Sequence, residues 1–547
     1  MEPTMNTQKN RFNIKHYFFF GGWLSECLMT LCLAGCGGNQ TTLASLPVAL
    51  PTLLPGSGTV SSAATTSTTT TTTTTGASTT LTPGGNTPQG LESATFFSMT
   101  SANASSPLVL VDAQSRVSAF WLQSFDNTAV PGVWVAQRTA TQQQWGAPVQ
   151  LDSYSRQGAA ASTPMAVVDH SGNVIACWLQ TPPNSVLPDL WCAAQSAGGS
   201  NWSAPQLMAQ SQANSAGISS PVLAVNPSTG SLALAWISGL ASGGSVLQVS
   251  AKVAGDPSWP ATQTVVGTVN GSSPAAPALV FTKNSDLVTL AWNQANSQGV
   301  MVVYAMQQLG QGGWGKVTPV DGSLPSGNGG DSAPQLTTDF QDNVVALWSQ
   351  GVTQGQNMVT ILKSASLTAG SWTKPVEVDA LSGTNGTSEG SQAAQLTTLQ
   401  NGAVAAVWQQ SFSTSSSPLV GVTNYFIKAT WSASGWSAPQ SVPLPSSWLV
   451  SGTLQAPAGG PWLLGDTQGN EVVTWIQNSP TTGIAVVESL FLQAGATTLG
   501  LTPVQVSTGP FAVSALSSVM QGSGQVDSLW IQFNGNNNQV FAAIQTP

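Results

Sequence analysis

Short extended segments with apolar side chains on both faces, each ending in a Trp-x-Gln step, recur along this chain. In GNVIACWLQ, residues 172–180, Val174, Ala176 and Trp178 fall on one face and Ile175, Cys177 and Leu179 on the other. That two-residue period predicts a strand buried on both sides. The ending returns as FWLQ at 120–123, AWNQ at 291–294, LWSQ at 347–350, VWQQ at 407–410, TWIQ at 474–477 and LWIQ at 529–532, while AWIS at 235–238 keeps the Trp and loses the Gln. The tryptophans concerned are Trp121, Trp178, Trp236, Trp292, Trp348, Trp408, Trp475 and Trp530, spaced by 57, 58, 56, 56, 60, 67 and 55 residues. A period of this length marks a repeat architecture.

Each repeat has the same four parts. A Pro-led segment such as PMAVVD at 164–169 is followed by the Trp strand, by a third apolar segment such as DLWCAA at 189–194, and by a closing element such as WSAP at 202–205. The closing element returns as WGAP at 145–148, WTKP at 372–375 and WSAP at 436–439, and more loosely near Trp259 and Trp314. Turn residues separate the first two strands, as in DHSGN at 169–173, NPSTG at 226–230 and DTQGN at 466–470. Four short strands per unit and no helical period predict an all-β chain folded as a β-propeller of about eight four-stranded blades, with seven as the fallback. Separate β-sandwiches would not impose one period near 58 residues. The eighth unit stops at Pro547 without a closing element, while ATFFS at 94–98 precedes the first Pro-led strand and matches only a fourth strand. An N-terminal strand that completes the last blade would close the ring and remove its open edges.

The first 90 residues carry none of this pattern. Lys9, Arg11 and Lys15 precede a mostly apolar run from Tyr17 to Leu33, and the run closes with LAGC at 33–36. The segment resembles the bacterial lipoprotein signal. The resemblance implies a signal peptide over 1–35 and a mature chain that begins at an acylated Cys36, anchored in a lipid membrane. Gly37 in place of Asp at the next position implies, by the same resemblance, sorting to the outer membrane. Residues 36–90 then run through Ser, Thr, Pro and Gly, with eight consecutive threonines at 68–75. As a flexible coil such a tether spans on the order of 40 Å. The propeller repeats occupy 91–547.

Composition narrows the chemistry. Only 6 % of residues are charged, against roughly 25 % in ordinary soluble proteins. Twelve basic residues against twenty-one acidic ones leave no footprint for a phosphate backbone, so nucleic acid is excluded as a partner. A neutral polar surface suits an exported protein; adaptation to an acidic exterior is a sharper reading of the same deficit. The repeat region holds one histidine, His170, in a turn, so it has no materials for a His-based metal site or a Ser-His or Cys-His catalyst, and no cofactor is expected.

In architecture the repeats resemble sialidase-like and lectin-like propellers. The sialidase Asp box S-x-D-x-G-x-T-W is absent, and the repeat region's arginines, Arg116, Arg138 and Arg156, all lie near the first unit, so an arginine triad drawn from several blades has no source. Asp112, Asp169, Asp339 and Asp466 follow Pro-led strands, where an Asp caps a turn. The recurring Gln is expected to bond within the fold or to ring a funnel mouth.

No catalytic residues stand out, which leaves a non-catalytic binding module for a glycan or an envelope protein. The alternatives are an envelope assembly scaffold and a sialidase-like glycoside hydrolase. Aromatic rings outside the repeat grammar are candidate ligand contacts: Trp448, in the connector 441–460, and then Trp431. The stretches 411–424 and 441–460 are where the period lengthens, and insertions on repeat scaffolds gather on functional faces. Processing leaves two cysteines besides the acylated Cys36, namely Cys177 and Cys192. Pairing Trp178 with Trp191 sets them opposite each other on antiparallel strands, within reach of a disulfide; a pair of buried free thiols is the alternative.

Overall fold

The computed structural model describes Thr95–Phe96 and residues 102–546, except 125–129, 140–143, 153–158, 257, 270, 310–312, 322–328, 355–356, 380–386, 414–421, 443–460, 480–481 and 495–502. All described residues belong to one compact unit, Asn86–Pro547. They form strands and turns, gathered into eight small antiparallel sheets that are the blades of a β-propeller. In blade 1 the strands Ala104–Val111, Val117–Ser124, Pro131–Arg138 and Val149–Gln150 lie side by side in chain order. Blade 2 repeats this with Ala161–Val168, Val174–Gln180, Asp189–Gln195 and Gln206–Ala209.

Blade 8 supplies only three strands from the end of the chain, Val513–Met520, Val526–Phe533 and Asn538–Gln545. Its fourth is Thr95–Phe96, with Thr95 opposite Ala542 and Phe96 opposite Phe541. The N-terminal strand therefore closes the ring. First strands touch the first strands of both neighbours all the way round, so they form its inner wall. This explains the prolines. A first strand is the inner edge of its blade, where a missing N–H leaves no ladder partner wanting.

The second strands form the core. All eight repeat tryptophans are at most 2 % exposed, and each packs across the gap to the preceding blade. Trp178 lies among Phe120, Val133 and Val135 of blade 1, Trp236 against Ile175 and Leu190 of blade 2, and Trp121 against Leu529, Ile531 and Val540 of blade 8. Each indole N–H also needs an acceptor in this dry setting. The Gln two residues on accepts it for Trp121, Trp178, Trp292, Trp408, Trp475 and Trp530, at 2.6–3.2 Å. The amide nitrogen of the same Gln then ties down the incoming connector: Gln123 donates to Ala102 O at 2.8 Å, Gln294 to Ser272 O at 2.8 Å and Gln532 to Phe511 O at 2.8 Å. The recurring Gln is thus a bolt between a blade and its connector.

Turns after the first strands are held by the acids at their start. The Asp112, Asp169, Asp339 and Asp466 carboxylates each accept two backbone N–H groups at 2.8–3.0 Å, from residues two and four further on. The register of the second and third strands pairs Trp121 with Trp134 and Trp178 with Trp191. It sets Cys177 opposite Cys192, with Cα atoms 4.0 Å apart and an S–S separation of 2.03 Å.

Candidate functional site

The ring has two unlike ends. One carries the short Asx turns between first and second strands; the other carries the second-to-third loops and the connectors between blades. Both lengthened stretches, 411–424 and 441–460, leave and rejoin the described strands at the connector end. Blades 5 and 6 also rise there. Their paired strands Val344–Gln354 with Asn357–Thr368, and Val404–Ser413 with Val422–Ser432, run 10–12 residues, against 7 and 7 in blade 2. The sheet ladder itself continues into a two-hairpin wall beside the ring mouth.

The first strands bend at this same end. Ser106, Thr163, Ser220, Ala276, Ala393 and Ala515 all have φ between 46° and 51°, and each sits at a register shift against its Trp strand. Four of them immediately precede Pro107, Pro164, Pro221 and Pro277. A side chain in the left-handed region costs energy, and only small side chains occupy these six places. Repeated bulges turn the inner wall as it leaves the connectors.

Trp448 lies outside the described residues, as do Cys36 and Arg156. Trp431 is half-buried at the opposite, turn end of the ring. Its indole N–H donates to Asp339 Oδ2 of blade 5 at 3.1 Å, and its ring meets Trp436 edge-on at 5.6 Å. The fold therefore puts Trp431 and the described strand ends that flank 443–460 at different ends of the ring. Trp134 is buried and donates to Gln123 O at 3.0 Å, and Trp462 donates to Leu516 O at 3.1 Å. His170 is exposed, its Nδ1 3.1 Å from Pro227 O of the next blade's turn.

Buried acids at the connector end hold blades to connectors. Asp152 accepts from Val133 N at 3.1 Å and Gln180 Nε2 at 2.7 Å. Asp331 accepts from Trp348 Nε1, Gln350 Nε2 and Val303 N at 2.9–3.0 Å. Burial pushes the carboxyls of Asp331 and Asp379 up to about 6 and that of Glu488 up to about 8; Asp189 is raised by the same cause. Glu488 alone among these has no hydrogen-bond partner on either oxygen. The Gln350 amide joins Asp331 to Asp321, whose Oδ2 lies 2.7 Å from Nε2. Among the described residues no three His, Cys, Asp or Glu side chains are grouped so as to hold a metal ion.

Asp321 also opens onto a groove of about 1210 Å³ down the flank of the ring, between the outer strands of blades 4 and 5. Lys316, Lys363, Lys374, Glu377 and Trp372 line it. The sequence does not group these residues, because they come from five different strands or turns of two repeats. The one signal is that lysine, rare in this chain, replaces alanine in two closing elements.

No protein family matches the chain, and no curated protein matches it in sequence. Solved structures similar to it include an α-L-arabinofuranosidase of Fusarium graminearum in complex with arabinobiose, at 13 % identity and a TM-score of 0.36 over 61 % of this chain and 95 % of that one. The leech intramolecular trans-sialidase is similar at 9 % identity and a TM-score of 0.34, over 83 % and 92 % of the two chains. The polysaccharide lyase Uly1 is similar at 9 % identity and a TM-score of 0.40, over 80 % and 89 %. At these identities the likeness goes no further than the propeller fold.

Proposed function

We propose that the chain is an outer-membrane lipoprotein, acylated at Cys36, that holds its propeller on the 36–90 tether as a non-catalytic binding module for a glycan or protein partner of the cell envelope. The observation that supports this reading is how the acids are used. Every buried described carboxylate except Glu488 holds a turn, a connector or an ion pair, while the departures from the repeat gather in the blade 5 and 6 hairpins at one end. A rigid ring with one elaborated rim is built to present a surface. The test is a glycan array and an envelope pull-down with the purified acylated protein, alongside a variant whose 411–424 loop is cut to blade 2 length. Binding lost with an unchanged Tm supports the reading. Equal binding by the variant removes the rim from it, and co-purification of outer-membrane proteins without glycan retention favours the assembly scaffold.

One observation favours a hydrolase as the second reading. Asp321 and Asp331 share the Gln350 amide, and burial raises the Asp331 carboxyl to about 6, as a general acid beside a second carboxylate requires. New reducing ends released from a retained glycan, and lost in Asp321→Asn, would establish it.

A further inference from the structure

We propose that the flank groove between blades 4 and 5 is a separate binding site for an acidic polysaccharide, one that carries uronate carboxylates along its length. Five described cations take no part in an ion pair, Lys252, Lys283, Lys316, Lys363 and Lys374, and three of the five line this groove. In a chain with so few charges the convergence needs a cause, and folding does not supply one. Lys316 and Lys374 occupy the position two residues after the closing-element tryptophan, where the other repeats with this element carry Ala147, Ala204, Ala261 and Ala438.

The backbone there is held alike with either residue. Gly315 N donates to Gln307 O at 2.9 Å and Thr373 N to Ser366 O at 2.8 Å, as Gly146 N does to Gln137 O and Ser203 N to Ala194 O in the alanine repeats. Both lysines are exposed. Lys363 is half-buried on the third strand of blade 5, directly between Trp348 and Glu377 across the sheet.

The mixture of charges selects the ligand. Three ammonium groups call for anionic oxygens, while Asp321 and Glu377 in the same lining accept hydrogen bonds and repel a densely charged phosphate chain. A uronate polymer presents both carboxylates and hydroxyl donors, and its ring faces suit the half-buried Trp372. The groove exceeds the ~300–1,000 Å³ of ordinary small-molecule sites, which fits a chain segment. Lys316 and Lys374 lie outside the 411–424 loop whose shortening tests the rim, so either reading can fail without the other.

The test is affinity electrophoresis of the full-length, detergent-solubilised protein through polygalacturonate, alginate and hyaluronate, with neutral dextran as reference. We expect salt-sensitive retardation by at least one acidic polymer and none by dextran. The double variant Lys316→Ala/Lys374→Ala, which takes the residues other repeats use, should weaken retardation roughly tenfold with Tm unchanged. Lys252→Ala/Lys283→Ala should leave it as it was. Retardation by no acidic polymer, equal retardation by dextran, or equal loss in both double variants overturns the proposal.

Discussion

Gln248 stands directly across the sheet from Trp236 and accepts its indole N–H at 3.0 Å. Blade 3 is the repeat whose Trp strand ends in Ser238 rather than Gln, so the acceptor has moved to the facing strand. In blade 5 it has moved again, to Asp331, which accepts from Trp348 at 3.0 Å. The requirement is for an acceptor at that point in space, not for a residue at that point in the sequence. Gln248→Leu should therefore cost about 1–3 kcal/mol, the range for a buried donor left without a partner. Thermal unfolding beside an exposed control, Gln298→Leu, measures the difference.

Arg138 of blade 1 is ion-paired with Asp527 of blade 8, and both side chains are at most 3 % exposed. The pair spans the junction where the ring closes. Arg138→Met should destabilise by about 3–5 kcal/mol, because it strands a buried carboxylate. Adding Asp527→Asn should recover part of that loss. A double variant no better than the single one would assign the cost to packing of the arginine stem.

Stability should fall as pH rises. Folded Glu488 keeps its proton to about 8, whereas in the unfolded chain it releases it near 4.5. Between those values the folded state binds more protons, so each step up in pH favours unfolding. Asp331 and Asp379, raised from 3.8 to about 6, act in the same direction over their lower window. Glu488→Gln should flatten the upper part of the profile, raising Tm at pH 8 and changing it little at pH 4. A Tm gain at pH 4 as large as that at pH 8 would show that ionisation is not the cause.

Cys177 and Cys192 should be recovered as one cross-linked peptide pair by mass spectrometry without reduction. A loop of 15 residues gives a disulfide worth about 3 kcal/mol, so reductant should lower Tm by several degrees. Two alkylatable thiols in the unfolded, unreduced protein would make them buried free thiols.

Labelled palmitate should enter the wild-type chain and not Cys36→Ala. The variant should also pass from the membrane fraction to the soluble one. Equal labelling of the two would remove the anchor from the proposed function.

The closing strand was legible as the one segment left over at the start of a repeat series that lacks a fourth strand at its end. The blade count and the four-part repeat were legible because one buried tryptophan per blade sets the period and strands within a blade pair with their neighbours in sequence. The Trp178–Trp191 register followed from the same local logic. What escaped depends on meetings between repeats. Trp431 stands outside the repeat grammar, yet its hydrogen-bond partner Asp339 is 92 residues away in the preceding blade. Lys316, Lys363 and Lys374 look scattered until two blades stand side by side. The bulges at Ser106, Thr163 and Ser220 were visible only as a small residue before proline, a pattern that by itself favours extended backbone.

The strand Thr95–Phe96 has its partner at Phe541 and Ala542. During synthesis that strand emerges long before its partner. Until Asn538–Gln545 has arrived, blade 8 has no place to receive the strand and blade 1 has no neighbour on one side. The ring is therefore a late event, completed only once Asn538–Gln545 has been made. Until then the open face of blade 1, with Trp121 and Val109 on it, is the surface a chaperone would have to cover.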